Sequence, residues 1–349
     1  AYPACERAGW PVRGFMGQIR EIKITNTLTR KKETLVTRTP GKLSMYSCGP
    51  TVYGYIHIGN LRTAMAADLF YRYFKRVGYD VKYLRNYTDV DDKIIAAAPK
   101  EGLTPEQLTK KYITEVERDY ASAGMLDPTV KPKATEHMAE MISMIETLID
   151  KKYAYVAKDG EVLYSIKKFK DYGKLSHKEI EDLEAGFRVD VRDQKKDPLD
   201  FSLWKPAKPG EPSWESPWGK GRPGWHIECS AMILKHLGPE IDIHHGGEDL
   251  IFPHHENEIA QSEAACGCDQ FVKYWVHSAH LTIAKEKMSK SVGNVFIAHD
   301  FLTQYSGEFA RAAFLSSQYH SKIDFNEELI EQTLDSLQRI YEAKARAFE

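Results

Sequence analysis

Residues 44–63 carry histidine, glycine and amide side chains at the point where an apolar strand gives way to a helical pattern. From residue 63 to residue 75, apolar side chains recur at helical spacing. His57, Gly59 and Asn60 therefore lie just before a helix N-terminus, where unpaired N–H groups and the helix dipole favour an anion. The stretch predicts a polyphosphate site, with a buried turn around a packed histidine as the structural alternative.

A second stretch, residues 287–294, is rich in lysine and serine. Lys287 and Lys290 place two ammonium groups three residues apart, which suits a clamp on a triphosphate. Alone, such a charged run is more often a solvated face. Together with His-Ile-Gly-Asn at 57–60, however, Lys-Met-Ser-Lys-Ser at 287–291 resembles the paired signatures of class I aminoacyl-tRNA synthetases.

Residues 221–258 are crowded with potential metal ligands. His254 and Glu258 are four residues apart after a proline, so on a helix both side chains point the same way. A zinc site needs about four donors, and Cys48 and Cys229 are the obvious remainder. Spacing alone makes this dispersed set a weak signal, because structural zinc sites usually carry close Cys-x-x-Cys pairs.

Three local sequences make the metal reading more specific. Residues 45–53 around Cys48, residues 224–232 and residues 252–258 resemble cysteinyl-tRNA synthetases, in order, within a resemblance that covers about residues 19–348. The resemblance implies a zinc ion held by Cys48, Cys229, His254 and Glu258 that binds the thiol of the substrate cysteine. Zinc binds a soft sulfur in preference to a hydroxyl oxygen. A hydrophobic pocket, by contrast, would discriminate cysteine from serine or alanine by only ~1 to 3 kcal/mol.

The same resemblance implies a two-step reaction. ATP, with Mg²⁺, converts L-cysteine to cysteinyl-adenylate, and the 2′-OH of the terminal adenosine of tRNA(Cys) then takes the aminoacyl group. Catalysis in such a reaction is positioning and charge stabilisation. The implied partners are tRNA(Cys), L-cysteine and ATP, with no membrane.

The resemblance also implies roles for individual residues. Those expected to act on the phosphates are His57, Asn60, Lys287 and Lys290, and those expected to bind the nucleotide are Gly59, Gly246, Asp249, Ser289 and Ser291. Candidates for the amino-acid pocket are Tyr46, Thr88 and Trp225, although such residues are more often plain core. Asn60 stands where the class motif has a second histidine, and an amide can still donate to a phosphate oxygen.

The expected fold class is α/β. It comprises a Rossmann-like parallel-sheet catalytic domain with an inserted connective domain and a C-terminal helical stem-contact region. The predicted divisions are 1–15, an extension or cloning remnant; 16–116, the first catalytic half; 117–218, the connective insertion; 219–284, the second catalytic half; 285–335, the stem-contact fold; and 336–349, the start of a helical bundle. An anticodon-binding region is expected to follow residue 349.

Local patterns predict the elements within these divisions. They indicate a hairpin from residue 19, a strand at 80–85, helices at 107–123 and 135–149, a hairpin at 153–164, a long return loop at 198–218, and helices at 301–317 and 327–348. The acidic residues 89–92 follow the strand at 80–85, which is where open α/β sheets bind ligands, but they also suit a helix N-cap.

Composition sets further bounds. With 349 residues, of which 42% are hydrophobic, the chain can bury a full core, and no apolar run approaches ~20 residues. A net charge of -2 argues against a wholly basic nucleic-acid coat but allows a local basic face.

The five cysteines show no disulfide framework, which favours a reducing compartment. Cys266 and Cys268 are predicted to form a surface turn. We expect a cytoplasmic monomer.

The sequence is also compatible with two alternative functions. A cysteine ligase of the mycothiol pathway would share the fold and the adenylation step, and would pass cysteine to the amine of a glucosaminyl-inositol without an anticodon module. A non-catalytic RNA-binding paralogue is the other. His57 and the intact stretch 287–291 argue against that second rival, because a decayed site usually loses such groups.

Overall fold

The computed structural model describes residues 21–178, 195–283, 286–287 and 295–348. The predicted extension at 1–15 and the predicted site residues Ser289, Lys290 and Ser291 lie outside these ranges. The strands are β1 Lys23–Asn26, β2 Lys31–Thr34, β3 Lys42–Ser47, β4 Asp80–Arg85, β5 Ala154–Val156, β6 Val162–Tyr164, β7 Phe201–Pro206, β8 Gly221–Pro223, β9 Ile241–Gly247, β10 Val272–Ser278, β11 Leu281–Ile283, β12 Glu286–Lys287 and β13 Ile323–Phe325.

The described ranges also contain α-helices, most of which lie between these strands in sequence. They are α1 Ile58–Arg76, α2 Asp92–Ala97, α3 Pro105–Ser122, α4 Met138–Asp150, α5 Trp225–Leu237, α6 Glu256–Cys266, α7 Ala298–Phe314 and α8 Glu327–Phe348. Among the described helices, none combines the length and the apolar character needed to cross a membrane.

A parallel sheet in the order β10-β9-β3-β4 forms the centre of the fold. Its strands are largely buried, as expected of a sheet covered by helices on its faces. Their carboxyl ends meet at one edge, the usual place for ligands in open α/β sheets. The predicted α/β class with a parallel-sheet core is confirmed.

A separate antiparallel sheet, β5-β6-β7-β8, lies between the two halves of the central sheet in sequence. The hairpin predicted at 153–164 is its β5–β6 pair. The prediction of a long return loop at 198–218 is wrong in part, because β7 lies within it. Leu203 and Trp204 are buried there, so the strand contributes to a hydrophobic core although it ends in Lys205 and Pro206.

Most predicted helices are present, with shifted ends. α1 begins at Ile58 rather than at residue 63, because His57 caps it. The predicted acidic N-cap is confirmed at Asp91, whose carboxylate accepts the Lys93 N–H at 2.8 Å at the start of α2. Cys266, the last residue of α6, forms a disulfide with Cys268, a bond that the predicted surface turn does not include.

Asp68 on α1 joins three parts of the fold. Its carboxylate is 1% exposed, accepts hydrogen bonds from Arg72 and Arg311 at 2.8 Å each, and accepts the Leu126 N–H at 2.8 Å. We expect Asp68→Ala to lower the free energy of unfolding by about 2 to 3 kcal/mol, because it removes the buried acceptor of two guanidinium hydrogen bonds and one backbone hydrogen bond. Urea denaturation measures this loss.

Asp127→Ala provides the control for that prediction. Asp127 is 76% exposed and pairs with Lys131 at 2.6 Å, so its loss should cost less than about 1 kcal/mol. Similar losses of unfolding free energy in Asp68→Ala and Asp127→Ala would show that burial of the Asp68 carboxylate does not increase its contribution to stability.

Candidate active site

Four potential metal ligands converge beside the carboxyl edge of the central sheet. The Cys48 and Cys229 sulfurs are 3.8 Å apart, and the Cys229 sulfur lies 3.6 Å from Nε2 of His254. Oε1 of Glu258 is 3.1 Å from that nitrogen and 3.8 Å from the Cys48 sulfur. A tetrahedral zinc ion with bonds of about 2.0 to 2.3 Å would space its ligand atoms about 3.3 to 3.8 Å apart. The donors therefore fit such an ion.

Different elements supply these four donors. Cys48 directly follows β3, Cys229 lies on α5, and Glu258 lies in the first turn of α6. His254 was expected on the same regular helix as Glu258, but it lies in the π-helical segment Ile251–His255, which contains a non-helical residue. The two side chains nevertheless converge, as the four-residue spacing predicts.

The electrostatics of this group favour a bound cation. Burial raises the pKa of the Cys48 thiol well above its usual range, and the hydrogen bond with Cys48 lowers the pKa of Cys229 to about 6. Burial opposes ionisation of Glu258, but His244 and His254 lower its pKa to about 2. Burial also opposes a charged His254, yet Glu258 and Cys229 raise its pKa to about 10. The negative charges of the Cys229 thiolate and the Glu258 carboxylate therefore attract a cation to this group.

Histidines that the sequence analysis did not single out surround the group. His226 Nδ1 lies 3.0 Å from His254 Nδ1, and His244 Nε2 lies 2.9 Å from Oε2 of Glu258. Hydrogen bonds of this kind orient ligands around a metal. Cys48, Glu258, His244 and His255 also form a second possible ligand group. The repeated His-His pairs at 244–245 and 254–255 were the available signal.

The start of α1 forms the second part of the site. His57 Nδ1 accepts the Asn60 N–H at 3.2 Å, and Asn60 Oδ1 accepts the His57 N–H at 3.3 Å, a reciprocal cap. The amide oxygen of Asn60 is therefore used within the helix, which leaves its amide nitrogen as the donor for a ligand. His57, Gly59 and Asn60 line a cavity with Asp249 and His280.

One cleft joins the two parts. A cavity of about 280 Å³ is lined by Cys48 of the metal-ligand group, by His57 and Asn60 at the start of α1, and by Asp249 and Trp225. The Trp225 indole stacks on the His254 ring with centroids 4.3 Å apart. A ligand in this cleft could contact the metal-ligand group and the helix start at once.

Three predicted residues, Gly246, Tyr46 and Thr88, are not among the lining residues of these two cavities. Gly247, not Gly246, lines the cleft, while Gly246 packs against His255, whose Cε1 would lie 2.6 Å from an added Cβ. Tyr46 is fully buried, and burial, together with the neighbouring Cys229 and Cys48, raises the pKa of its hydroxyl well above its usual range. Thr88 is also buried and donates to Glu228 at 3.0 Å.

Comparison with known proteins gives a family match. Residues 34–335 match the model described as the tRNA synthetases class I (C) catalytic domain. The chain is 52% identical over 328 residues to the cysteine–tRNA ligase of Geotalea daltonii, covering 94% of this chain and 66% of that protein. It is also 52% identical over 319 residues to that of Carboxydothermus hydrogenoformans, covering 91% and 68%. The chain thus spans about two thirds of the length of these relatives.

Solved structures give a matching fold. Methionyl-tRNA synthetase of Mycobacterium tuberculosis, in complex with methionyl-adenylate, superposes with a TM-score of 0.68 at 15% identity and covers 84% of this chain and 68% of that chain. A putative arginyl-tRNA synthetase from Campylobacter jejuni gives a TM-score of 0.55 at 13% identity, covering 81% and 65%. At these identities the likeness concerns the fold alone.

Proposed function

Because the chain belongs to the class I (C) tRNA synthetase catalytic-domain family, we propose that it activates L-cysteine with ATP and transfers it to tRNA(Cys). The observation that carries the proposal is the cleft that connects a tetrahedral group of two sulfurs, one imidazole and one carboxylate to the start of α1. The curated relatives named above are cysteine–tRNA ligases, which supports the same amino acid.

In this proposal Cys48, Cys229, His254 and Glu258 hold a zinc ion, which supplies a soft Lewis acid for the thiolate of the substrate. The protein contributes the geometry of the site. His226 and His244 orient two of the ligands, and burial of Cys229, His254 and Glu258 keeps water from them. Serine would present a harder oxygen that keeps its proton, so it would be rejected.

The residues at the helix start would position ATP for attack by the cysteine carboxylate. His57, Gly59 and the amide nitrogen of Asn60 would contact the phosphates, and Asp249 would contact the ribose. Lys287 and Lys290 would neutralise the departing pyrophosphate together with Mg²⁺. Ser289, Ser291 and Gly246 stay predicted nucleotide contacts, and Tyr46, Thr88 and Trp225 stay predicted contacts of the amino acid.

ATP–pyrophosphate exchange with each proteinogenic amino acid tests the proposal. We expect exchange with cysteine, and exchange at least about 10⁴-fold weaker with serine, the scale that a site selective for one polar group achieves. Exchange that is stimulated by a different amino acid, or the absence of stimulation by any amino acid, would refute the assignment. Charging of tRNA(Cys) rather than of a glucosaminyl-inositol amine would separate the ligase from the mycothiol-type alternative.

A further inference from the structure

Arg85, the last residue of β4, is a buried cation without a hydrogen-bonded counter-ion. Its side chain is 2% exposed, and its Nε and Nη1 atoms make no well-formed hydrogen bond among the residues that the structure describes. The Tyr83 hydroxyl interacts with the guanidinium, but it is a neutral group. An arginine is charged at every accessible pH, and a buried unpaired charge is unfavourable by several kcal/mol. Such a group is a strong candidate for binding an anion that is supplied from outside the chain.

The neighbours of Arg85 do not supply this anion. The guanidinium carbon lies 4.1 Å from the centroid of the Tyr120 ring, a cation–π contact. Glu117 acts on Arg85 electrostatically, but its Oε2 binds Lys131 at 2.6 Å and its Oε1 accepts the hydroxyl of Tyr87. The carboxylate of Glu117 is therefore already committed to other donors.

The position of Arg85 indicates which anion it meets. Arg85 pairs in register with Ser47 across β3 and β4, and Ser47 precedes the metal-ligand residue Cys48. Arg85 also lies close to the residue that follows Cys48, because its Cγ would be 3.6 Å from a Cβ added at Gly49. Arg85 lines the same cleft as Cys48 and Trp225.

We propose that Arg85 binds the α-carboxylate of the amino acid whose thiol is held at the group containing Cys48. This inference rests on the proposed function. A guanidinium fork matches a carboxylate, and charge-assisted hydrogen bonds to a buried guanidinium are strong. Arg85 would hold one carboxylate oxygen while the other forms a bond to the α-phosphorus of ATP. The bond from that phosphorus to the bridging oxygen breaks, and its electron pair leaves with pyrophosphate.

Lys93 is the matched control, because it is the other basic side chain of the described cleft lining besides the histidine. Its side chain is exposed, and its ammonium lies 5.6 Å from the centroid of the Tyr53 ring. An exposed ammonium is well hydrated and contributes little to an ion pair. Lys93→Met therefore removes a cation from the cleft without removing the buried one.

The experiment compares binding of L-cysteine and of cysteamine, which has the thiol and the amine but no carboxylate, by calorimetry on the zinc-loaded full chain. For the unaltered protein we expect cysteine to bind about 10- to 100-fold more tightly than cysteamine, as charge-assisted hydrogen bonds allow. In Arg85→Met that ratio should fall to within about threefold, with cysteamine affinity kept. Lys93→Met should keep the original ratio.

The outcomes distinguish the possible roles of Arg85. Equal weakening of both thiols in Arg85→Met would show a purely structural role, and an unchanged ratio with a raised KM for ATP would assign the guanidinium to the phosphates; either result overturns the proposal. If Arg85→Met does not fold, Arg85→Lys, which keeps the charge and removes the fork, should still lower the ratio. Failure of the proposed function looks different, because the unaltered protein would then bind neither thiol and exchange with no amino acid.

Discussion

Cys229→Ser should weaken metal binding by at least about 100-fold and raise the KM for cysteine in pyrophosphate exchange. The thiol of Cys229 is the more acidic of the sulfur pair and lies 3.6 Å from His254 and 3.8 Å from Cys48. A serine hydroxyl keeps its proton at neutral pH and is a harder donor, so it cannot replace the sulfur. Metal content by mass spectrometry and exchange at varied cysteine concentration measure the two effects.

Cys266→Ser is the matched control for that variant. Cys266 is bonded to Cys268 beyond the end of α6 and does not belong to the metal-ligand group. Its replacement should leave metal content and the KM for cysteine unchanged. A full equivalent of metal in Cys229→Ser would remove this residue from the proposed site.

His57→Asn should slow cysteine-dependent pyrophosphate exchange by about 10²- to 10³-fold while metal content stays normal, because it removes one donor to the developing charge on the phosphates. Asparagine is a good N-cap, so α1 should keep its first turn. The exchange rate at saturating substrates measures the chemical effect, and thermal unfolding measures the helix.

His57→Ala separates the two tasks of this side chain. It removes the ring and also the acceptor for the Asn60 N–H, so it should cost about 1 kcal/mol more stability than His57→Asn. The loss of exchange should be similar in both variants. Near-normal exchange in His57→Asn would show that the imidazole of His57 has no role at the phosphates.

The sequence predicted the fold class, and it also singled out the four residues that the fold brings together as a possible metal-ligand group, but for different reasons. Periodicity located most helices and strands. The ligand set, by contrast, came from the resemblance of local sequences, because Cys48 and Cys229 are 181 positions apart and only the folded sheet brings them together. Spacing arguments work for ligands on one helix and lose their force across a domain.

Other features depended on details finer than sequence patterns. An imidazole is an unusual N-cap, so the sequence pattern predicts a start at residue 63, five residues later than the observed start of α1 at Ile58. The choice between Gly246 and Gly247 depends on the alternation of side chains along β9, in which adjacent residues face opposite ways. Arg85 carried no signal at all, since only its burial and unpaired donors reveal it.

The wide separation of the four donors has a consequence for how the protein is assembled during synthesis. Cys48 leaves the ribosome long before residues 229–258, so a nascent chain cannot form the full group until Glu258 has been made. Because metal binding is coupled to folding, uptake of the proposed zinc ion would be a late event that links the first strand of the central sheet to helices made much later. Metal uptake would therefore report that both halves of the central sheet have come together.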